Sequence, residues 1–102
     1  MNKVALITGA SRGIGKQIAI TLAKNGFDIS LNCRKENDEV IKIKEEIESY
    51  NVSCLIVEGD VSNFEDSERI TKETIEKFGK IDVLVNNAGI TKDMLLIRMK
   101  EE

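Results

Sequence analysis

Short, uninterrupted apolar runs alternate along this chain with segments in which apolar residues recur every three to four positions. The first run covers residues 4–7, and the segment after it places Ile14, Ile18 and Leu22 on one helical face. An unbroken apolar run is typical of a strand covered on both faces of a parallel sheet, whereas the second spacing is typical of an amphipathic helix. This alternation predicts βαβ units and an α/β fold.

Four strands and three helices are predicted in this way. The strands are predicted at residues 4–7, 27–31, 53–57 and 82–85, and the helices at 14–24, 39–50 and 63–78. Right-handed crossovers and the connectivity of doubly wound sheets predict the strand order 3-2-1-4. Residues 90–102 are predicted to form a loop leading into a truncated helix, which would leave the fourth strand at an unpaired edge of the sheet.

Residues that start and stop helices support these boundaries. Ser62 is followed three positions later by Glu65, which is the pattern of a capping box and predicts Ser62 as the N-cap of the third helix. Gly26 and Gly79 follow the first and third helical segments. Glycine ends helices readily because it adopts the left-handed conformation without a steric penalty.

A glycine-rich turn lies between the first strand and the first helix, where Gly9, Gly13 and Gly15 form a G-x-x-x-G-x-G pattern. Gly9 would permit a tight turn, Gly13 would let the backbone approach a pyrophosphate, and Gly15 would let the helix lie close to the sheet. The helix N-terminus would present free N–H groups to the phosphates. No Gly-Lys-Ser/Thr sequence follows, so the turn is not a P-loop. The alternative is a strand-to-helix turn that binds nothing.

Composition and charge exclude several other functions. The chain has 102 residues, of which 41% are hydrophobic and 32% charged, as expected of a single globular domain. Its net charge of −3 argues against a general nucleic-acid binder and against docking on an anionic membrane, and no apolar stretch has the length of a membrane span. Cys33 and Cys54 lack the spacing of a metal site, and because the chain has no histidine, no metal is predicted. Free thiols and the lack of a signal-peptide core predict a cytoplasmic protein.

Two motifs are similar to those of the short-chain dehydrogenase/reductase family. Residues 8–15, Thr-Gly-Ala-Ser-Arg-Gly-Ile-Gly, resemble the cofactor motif of that family, and residues 86–89, Asn-Asn-Ala-Gly, resemble its second hallmark after the fourth strand. Residues 89–99 are most similar to the 3-oxoacyl-[acyl-carrier-protein] reductases of bacterial fatty acid synthesis. The resemblance implies that residues 1–102 are an NADP-binding Rossmann domain, with a doubly wound parallel sheet, that is incomplete at its C-terminus. It further implies a homo-oligomeric parent enzyme that transfers hydride to a 3-oxoacyl group on acyl carrier protein.

The resemblance also implies contacts to the cofactor. Asp60 would accept a hydrogen bond from the adenine amino group, with Val61 beside it, and Asn87 would line the ribose. Each polar position has a structural alternative: Asp60 could serve only the start of the third helix beside Ser62, and Asn86 and Asn87 could bridge neighbouring strands. The complete set of implied cofactor-binding residues is Gly9, Ser11, Arg12, Gly13, Ile14, Gly15, Arg34, Asp60, Val61, Asn87, Ala88 and Gly89.

The end of the second strand indicates which cofactor is preferred. An acidic residue about 20 positions past the glycines binds the ribose 2′-hydroxyl of NAD, whereas a nearby arginine suits the 2′-phosphate of NADP. Cys33 occupies this position, Arg34 follows it, and Arg12 lies in the glycine turn. Because guanidinium groups pair well with phosphate oxygens, these residues predict NADP(H). The alternative is that both arginines are ordinary surface charges.

No catalytic residue is predicted within the chain. The family's reaction uses a serine, an asparagine, and a tyrosine with a lysine four positions later, and the resemblance places them all beyond residue 102. The one tyrosine, Tyr50, is followed four positions later by Cys54 and ends a predicted helix, so it is expected to pack there. The chain alone is therefore predicted to be inactive. The alternatives are a short-chain reductase of another carbonyl substrate, a non-catalytic dinucleotide-binding module, and a non-functional fragment that neither folds nor binds well.

Overall fold

Five strands form one sheet in the computed structural model, which describes residues 2–10, 13–87 and 96–99 of the chain. The strands are β1 (Val4–Ile7), β2 (Asp28–Cys33), β3 (Cys54–Glu58), β4 (Val83–Asn86) and β5 (Leu96–Met99). The helices are α1 (Gly13–Lys24), α2 (Asp38–Glu48) and α3 (Phe64–Phe78). The sheet order is β3-β2-β1-β4-β5, with β1 to β4 mutually parallel, so the predicted α/β fold and the order 3-2-1-4 are confirmed.

The end of the chain differs from the prediction. Residues 96–99 form β5, which pairs antiparallel with β4 from Val83↔Met99 to Asn86↔Leu96. The predicted helix is therefore wrong for these four residues, and β4 is not the unpaired edge that was expected. A short apolar run is compatible with a helix or with a strand. The strand forms here because it pairs with the backbone donors and acceptors that β4 would otherwise leave free.

The N-cap of α3 is also one residue later than predicted. Asn63, rather than Ser62, caps the helix, since its side-chain oxygen accepts a hydrogen bond from the Asp66 N–H at 3.0 Å. The Ser62 hydroxyl instead donates to the Asp60 carboxylate at 2.7 Å. The predicted capping box between Ser62 and Glu65 is therefore wrong, because the helix begins at Phe64 and the Asn63 side chain occupies the N-cap position.

Helices cover the two faces of the sheet unequally. On one face, α1 and α2 pack on the strands through small and branched residues such as Ala19, Ala23 and Ile47. On the other face α3 is the one helix within the described ranges, and Ile70 contacts Leu6 and Val57 in a smaller cluster. Burial of each large aliphatic side chain contributes about 1.5–3 kcal/mol, so among the described residues the first face supplies most of the apolar stabilisation.

A buried polar pair joins the sheet to α3. Ser30 on β2 and Thr74 on α3 are both fully buried, and their hydroxyl oxygens lie 2.8 Å apart. The Thr74 hydroxyl also donates to the Ile70 carbonyl at 2.8 Å. Both side chains are thus satisfied, as buried polar groups must be.

The cysteines and the tyrosine have packing roles. Cys33 and Cys54 are free and buried, and burial raises the pKa of the Cys54 thiol to about 12, so it stays protonated at neutral pH. Tyr50 packs against the larger core cluster, and its hydroxyl donates to Glu46 at 2.9 Å. The Lys24 ammonium lies 5.7 Å from the centre of its ring. Within the described ranges, no helix combines the length and the apolar character needed to cross a membrane.

Asp82 ties the beginning of β4 to the beginning of β1. Its carboxylate accepts a hydrogen bond from the Val4 N–H at 2.8 Å and lies 3.2 Å from the Lys80 ammonium. The hydrogen bond from the Val4 N–H, and then the hydrogen bond and charge of Lys80, hold the pKa of Asp82 below its usual range. A lowered pKa means that this stabilisation is present above the pKa of the unfolded state and is lost as pH falls through the folded value.

We therefore expect Asp82→Asn to flatten the acid limb of the stability profile. Asparagine keeps an oxygen for the Val4 N–H but does not titrate. The free energy of unfolding, measured by urea denaturation from about pH 7 to about pH 2, should fall less steeply in the variant than in the wild type. Parallel profiles for the two proteins would contradict this role of Asp82.

Candidate functional site

The predicted site residues that the structure describes lie at or just after the carboxyl ends of the parallel strands. The carboxyl ends of β1, β2, β3 and β4 all meet at one edge of the sheet because these strands are parallel. The chain order reverses between β1 and its neighbours β2 and β4, which makes this edge the topological switch point where open α/β sheets bind ligands. The residues that follow the strands at this edge are Thr8 to Ala10 after β1, Arg34 after β2, Gly59 to Val61 after β3, and Asn87 after β4.

The two described glycines at the start and end of the turn, Gly9 and Gly13, have backbone conformations that favour glycine. Gly9 and Gly13 have φ values of +62° and +66°, in the left-handed region that favours glycine. A Cβ atom built on Gly15 would lie 2.6 Å from the Gly9 carbonyl oxygen and 2.7 Å from Nδ2 of Asn87. The beginning of α1 therefore lies against the turn and against the end of β4, and only glycine leaves room for that contact.

The first turn of α1 has features that suit an anionic ligand. A Cβ atom built on Gly13 would meet nothing within 4 Å, so the space beside this backbone is open. The first turn contains no acidic residue, and the partial positive charge of the helix N-terminus is not offset there. Ile14 is 52% exposed in the same turn, which gives the open side of the turn an apolar contact surface.

Asn86 and Asn87 hold the glycine turn against β4. The Asn87 backbone N–H donates to the Thr8 hydroxyl at 2.8 Å, and the Asn87 side-chain amide donates to the Gly9 carbonyl at 3.1 Å. The Thr8 hydroxyl lies 3.3 Å from the side-chain oxygen of Asn86. The two asparagines thus bridge the ends of β1 and β4, which is the structural role considered for them above. The cofactor role of Asn87 stays a prediction.

Asn32 is a site residue that the sequence reasoning missed. It is only 2% exposed near the end of β2, and its side-chain oxygen accepts from the Gly9 N–H at 3.3 Å. Its Nδ2 donates to the carbonyls of Val57 and Gly59 at 3.1 and 3.2 Å. One amide therefore joins the glycine turn to the end of β3. The available signal was a polar residue inside an apolar strand, because such a residue must find buried partners.

Asp60 makes its hydrogen bonds within the turn that leads into α3. Its carboxylate accepts hydrogen bonds from the Ser62 N–H at 3.0 Å and from the Ser62 hydroxyl, and its own N–H donates to Asp66 at 2.9 Å. The Ser62 hydrogen bonds, with a smaller contribution from the charge of Arg34, lower the pKa of Asp60. The structural alternative for Asp60 is therefore present, its carboxylate is ionised at neutral pH, and its adenine contact stays a prediction.

The carboxylate of Glu58 on β3 lies beside the end of β2. Cys33 is buried, and Arg34 after it is exposed. Glu58 pairs with Cys33 across the two strands, and its carboxylate accepts a hydrogen bond from the Glu36 N–H at 2.7 Å. Burial first, and then the charges of Glu58 and Glu36, raise the pKa of the Cys33 thiol. The linear sequence hides this proximity because it depends on the β2–β3 register.

Some predicted site residues lie outside the described part of the chain, namely Ser11, Arg12, Ala88 and Gly89. Among the described residues, no group of three or more histidine, cysteine, aspartate or glutamate side chains could hold a metal ion. Every buried side-chain nitrogen and oxygen in these residues has a hydrogen-bond partner.

The sequence is similar to one family of known proteins and to its members. Residues 3–102 match the family described as short chain dehydrogenase. The chain is 46% identical over 102 residues to the 3-oxoacyl-[acyl-carrier-protein] reductase FabG of Staphylococcus epidermidis, covering all of this chain and 42% of that protein. It is 44% identical over 100 residues to a 3-oxoacyl-[acyl-carrier-protein] reductase of Synechocystis sp., covering 98% of this chain and 40% of that protein. The chain thus spans about two fifths of the length of these curated relatives.

Solved structures show the same architecture with varied substrates. The L-sorbose reductase of Gluconobacter frateurii, complexed with NADPH and L-sorbose, aligns with a TM-score of 0.80 and 38% identity over 89% of this chain and 35% of its own. A hydroxysteroid dehydrogenase of Escherichia coli aligns with a TM-score of 0.78 and 36% identity over 85% of this chain and 37% of its own.

Proposed function

The chain belongs to the short-chain dehydrogenase family of oxidoreductases, and from that premise we propose that it is the cofactor-binding part of an NADPH-dependent 3-oxoacyl-[acyl-carrier-protein] reductase. The observation that carries the proposal is the switch-point edge, where Gly13, with open space beside its backbone at the N-terminus of α1, and Arg34 both follow the carboxyl ends of adjacent parallel strands. Residues 1–102 would form one NADP-binding unit of a larger Rossmann domain. A cytoplasmic location stays a prediction.

The described residues fit a dinucleotide in three respects. The open space at Gly13 and the N–H groups of α1 suit a pyrophosphate, which needs close backbone approach and uncompensated donors. The exposed Ile14 offers an apolar contact beside these donors. The charge of Arg34 suits a 2′-phosphate, because a guanidinium binds phosphate oxygens with two parallel hydrogen bonds.

Within this part of the enzyme, the residues bind and orient rather than catalyse. Asn32 and Asn87 hold Gly9 in place through buried or half-buried hydrogen bonds, so the beginning of the turn is tied to β2 and β4. When bound, NADPH supplies the hydride, which would pass to the C3 carbonyl carbon of a 3-oxoacyl thioester while a proton goes to the oxygen. Residues that donate this proton are proposed to lie outside residues 1–102, so the chain alone would be inactive.

The substrate proposal is supported by the names of two relatives. Both are 3-oxoacyl-[acyl-carrier-protein] reductases and match almost the whole chain, which favours acyl carrier protein as the partner of the parent enzyme. A second candidate is a short-chain reductase of another carbonyl compound, favoured by the sorbose and hydroxysteroid enzymes among the structural neighbours. Reduction of 3-oxoacyl thioesters and of free ketones by the full-length enzyme would separate the two. A homo-oligomeric parent stays a prediction.

We expect the chain to bind NADPH more tightly than NADH in calorimetric titration. Arg34→Ala should weaken NADPH binding about tenfold, corresponding to one charge-assisted phosphate contact of about 1.4 kcal/mol, and leave NADH binding unchanged. Lys42→Ala, which removes an exposed cation on α2, is the matched control and should change neither. Equal affinities for the two cofactors, or equal losses in both variants, would contradict recognition of the 2′-phosphate by Arg34.

A further inference from the structure

Glu58 lies beside the position that distinguishes the two nicotinamide cofactors. It is the last residue of β3 and pairs with Cys33 at the end of β2. Paired residues of adjacent parallel strands lie about 4.8 Å apart and direct their side chains to the same face of the sheet. In a site of this architecture, an acidic residue at the Cys33 position would bind the ribose 2′-hydroxyl. Position 33 has no charge of its own, and Glu58 places a negative charge beside it on the neighbouring strand.

The Glu58 side chain is held in place. Its Oε2 accepts the Glu36 N–H at 2.7 Å, which bridges β3 to the connection between β2 and α2. Its backbone carbonyl accepts from the Arg69 guanidinium of α3 at 2.6 Å. Because Arg34 lies two residues before Glu36 in the same connection, the Glu58 carboxylate fixes the segment that carries Arg34.

Two of the charges at this edge, those of Arg34 and Glu58, act on a phosphate with opposite signs. Arg34 attracts a 2′-phosphate and Glu58 repels it, and both are exposed at adjacent strand ends. Burial first, and then the charge of Glu58, raises the pKa of the Cys33 thiol. The 2′-phosphate is the difference between NADPH and NADH, so a nearby negative charge changes their relative affinities.

We propose that Glu58 is a specificity-determining residue of this site, holding the Arg34 segment through Glu36 while its charge limits the preference for a 2′-phosphate. The inference rests on the proposed function, since it concerns the choice between NADPH and NADH. Its two parts are separable, because the hydrogen bond needs only an oxygen atom and the repulsion needs a charge.

Glu58→Gln separates the two parts, since glutamine keeps an acceptor for the Glu36 N–H and removes the charge. NADPH should bind roughly threefold to tenfold more tightly to this variant than to the wild type. This is the size expected when one negative charge near the 2′-phosphate is removed in a partly aqueous site. NADH binding should not change, and the gain should shrink as salt is raised. Glu76→Gln, an exposed position at the far end of α3, is the control and should leave the ratio of the two affinities unchanged.

Glu58→Ala removes both the charge and the acceptor. Without cofactor, the Glu36 amide should exchange with deuterium faster in Glu58→Ala than in Glu58→Gln, because only alanine breaks the hydrogen bond. Glu58→Ala should also gain less NADPH affinity than Glu58→Gln, since the Arg34 segment is released. Urea denaturation checks that both variants are folded.

The outcomes distinguish this inference from the proposed function. If the wild type prefers NADPH and Glu58→Gln leaves the affinity ratio unchanged, the role of Glu58 is overturned and the proposed function stands. If the wild type prefers NADH and Glu58→Gln shifts the ratio towards NADPH, Glu58 is supported and the NADPH preference is overturned. If the wild type binds neither cofactor, both proposals are overturned for this chain.

Discussion

Gly15→Ala is expected to destabilise the chain by roughly 1–3 kcal/mol, the range found when a methyl group is forced into a packed site. At an ordinary helix position the same change would stabilise by about 1 kcal/mol, because alanine is the better helix former. Here the added Cβ would lie 2.6 Å from the Gly9 carbonyl oxygen and 2.7 Å from Asn87 Nδ2, far inside normal contact distance. The steric term therefore outweighs helix propensity, and the sign of the effect is reversed.

The glycine variant should also lose cofactor binding, because relief of the clash requires α1 to move away from the turn. Urea denaturation and titration with NADPH measure the two effects. Gln17→Ala, at an exposed position of the same helix, is the control and should change stability by no more than about 0.5 kcal/mol. An increase in the stability of Gly15→Ala would show that α1 does not lie against Gly9 as described.

Asn32→Asp is expected to have the larger effect, a loss of about 3–5 kcal/mol at neutral pH, which is typical of an uncompensated buried charge. The change is nearly isosteric and keeps an oxygen for the Gly9 N–H. It removes the Nδ2 donor on which the Val57 and Gly59 carbonyls depend and replaces it with a negative oxygen. The carbonyl oxygens and burial both disfavour the ionised carboxyl.

The loss in Asn32→Asp should depend on pH in a defined direction. The introduced carboxyl has a folded-state pKa above its unfolded value, so the deficit is smallest in acid, where the group is protonated in both states. It grows as pH rises above the unfolded value of about 3.9 and levels off above the folded pKa. The difference in unfolding free energy from the wild type at each pH measures this dependence. Asn25→Asp, at an exposed helix end, should show little of it, and a deficit for Asn32→Asp that is independent of pH would contradict the buried contacts.

The parts of this structure that could be predicted depend on local pattern. The range of β1 is as predicted, and the strand order follows because short βαβ crossovers leave few alternatives. The glycine turn could be predicted because its spacing and its flanking elements agree with each other. β2, β3 and β4 start or end one or two residues from the predicted positions, since fraying ends are decided by individual hydrogen bonds.

The parts that could not be predicted depend on register and on competition between partners. Asn32 reaches Val57, 25 positions away, and Glu58 meets Glu36 only because β2 and β3 pair as they do. Ser62 has the sequence of a cap, but Asn63 beside it accepts the helix N–H of Asp66, and the Ser62 hydroxyl donates to Asp60 instead. The strand at residues 96–99 is selected by the free edge of β4, which local periodicity does not reveal.

The Ser30–Thr74 contact has a direction that follows from counting protons. A hydroxyl group carries one hydrogen, and that of Thr74 is already given to the Ile70 carbonyl, which can only accept. Ser30 must therefore be the donor in the 2.8 Å contact between them. The pair is consequently asymmetric. Loss of the Ser30 hydroxyl leaves the Thr74 proton bonded to the Ile70 carbonyl, whereas loss of the Thr74 hydroxyl leaves the buried Ser30 proton without an acceptor.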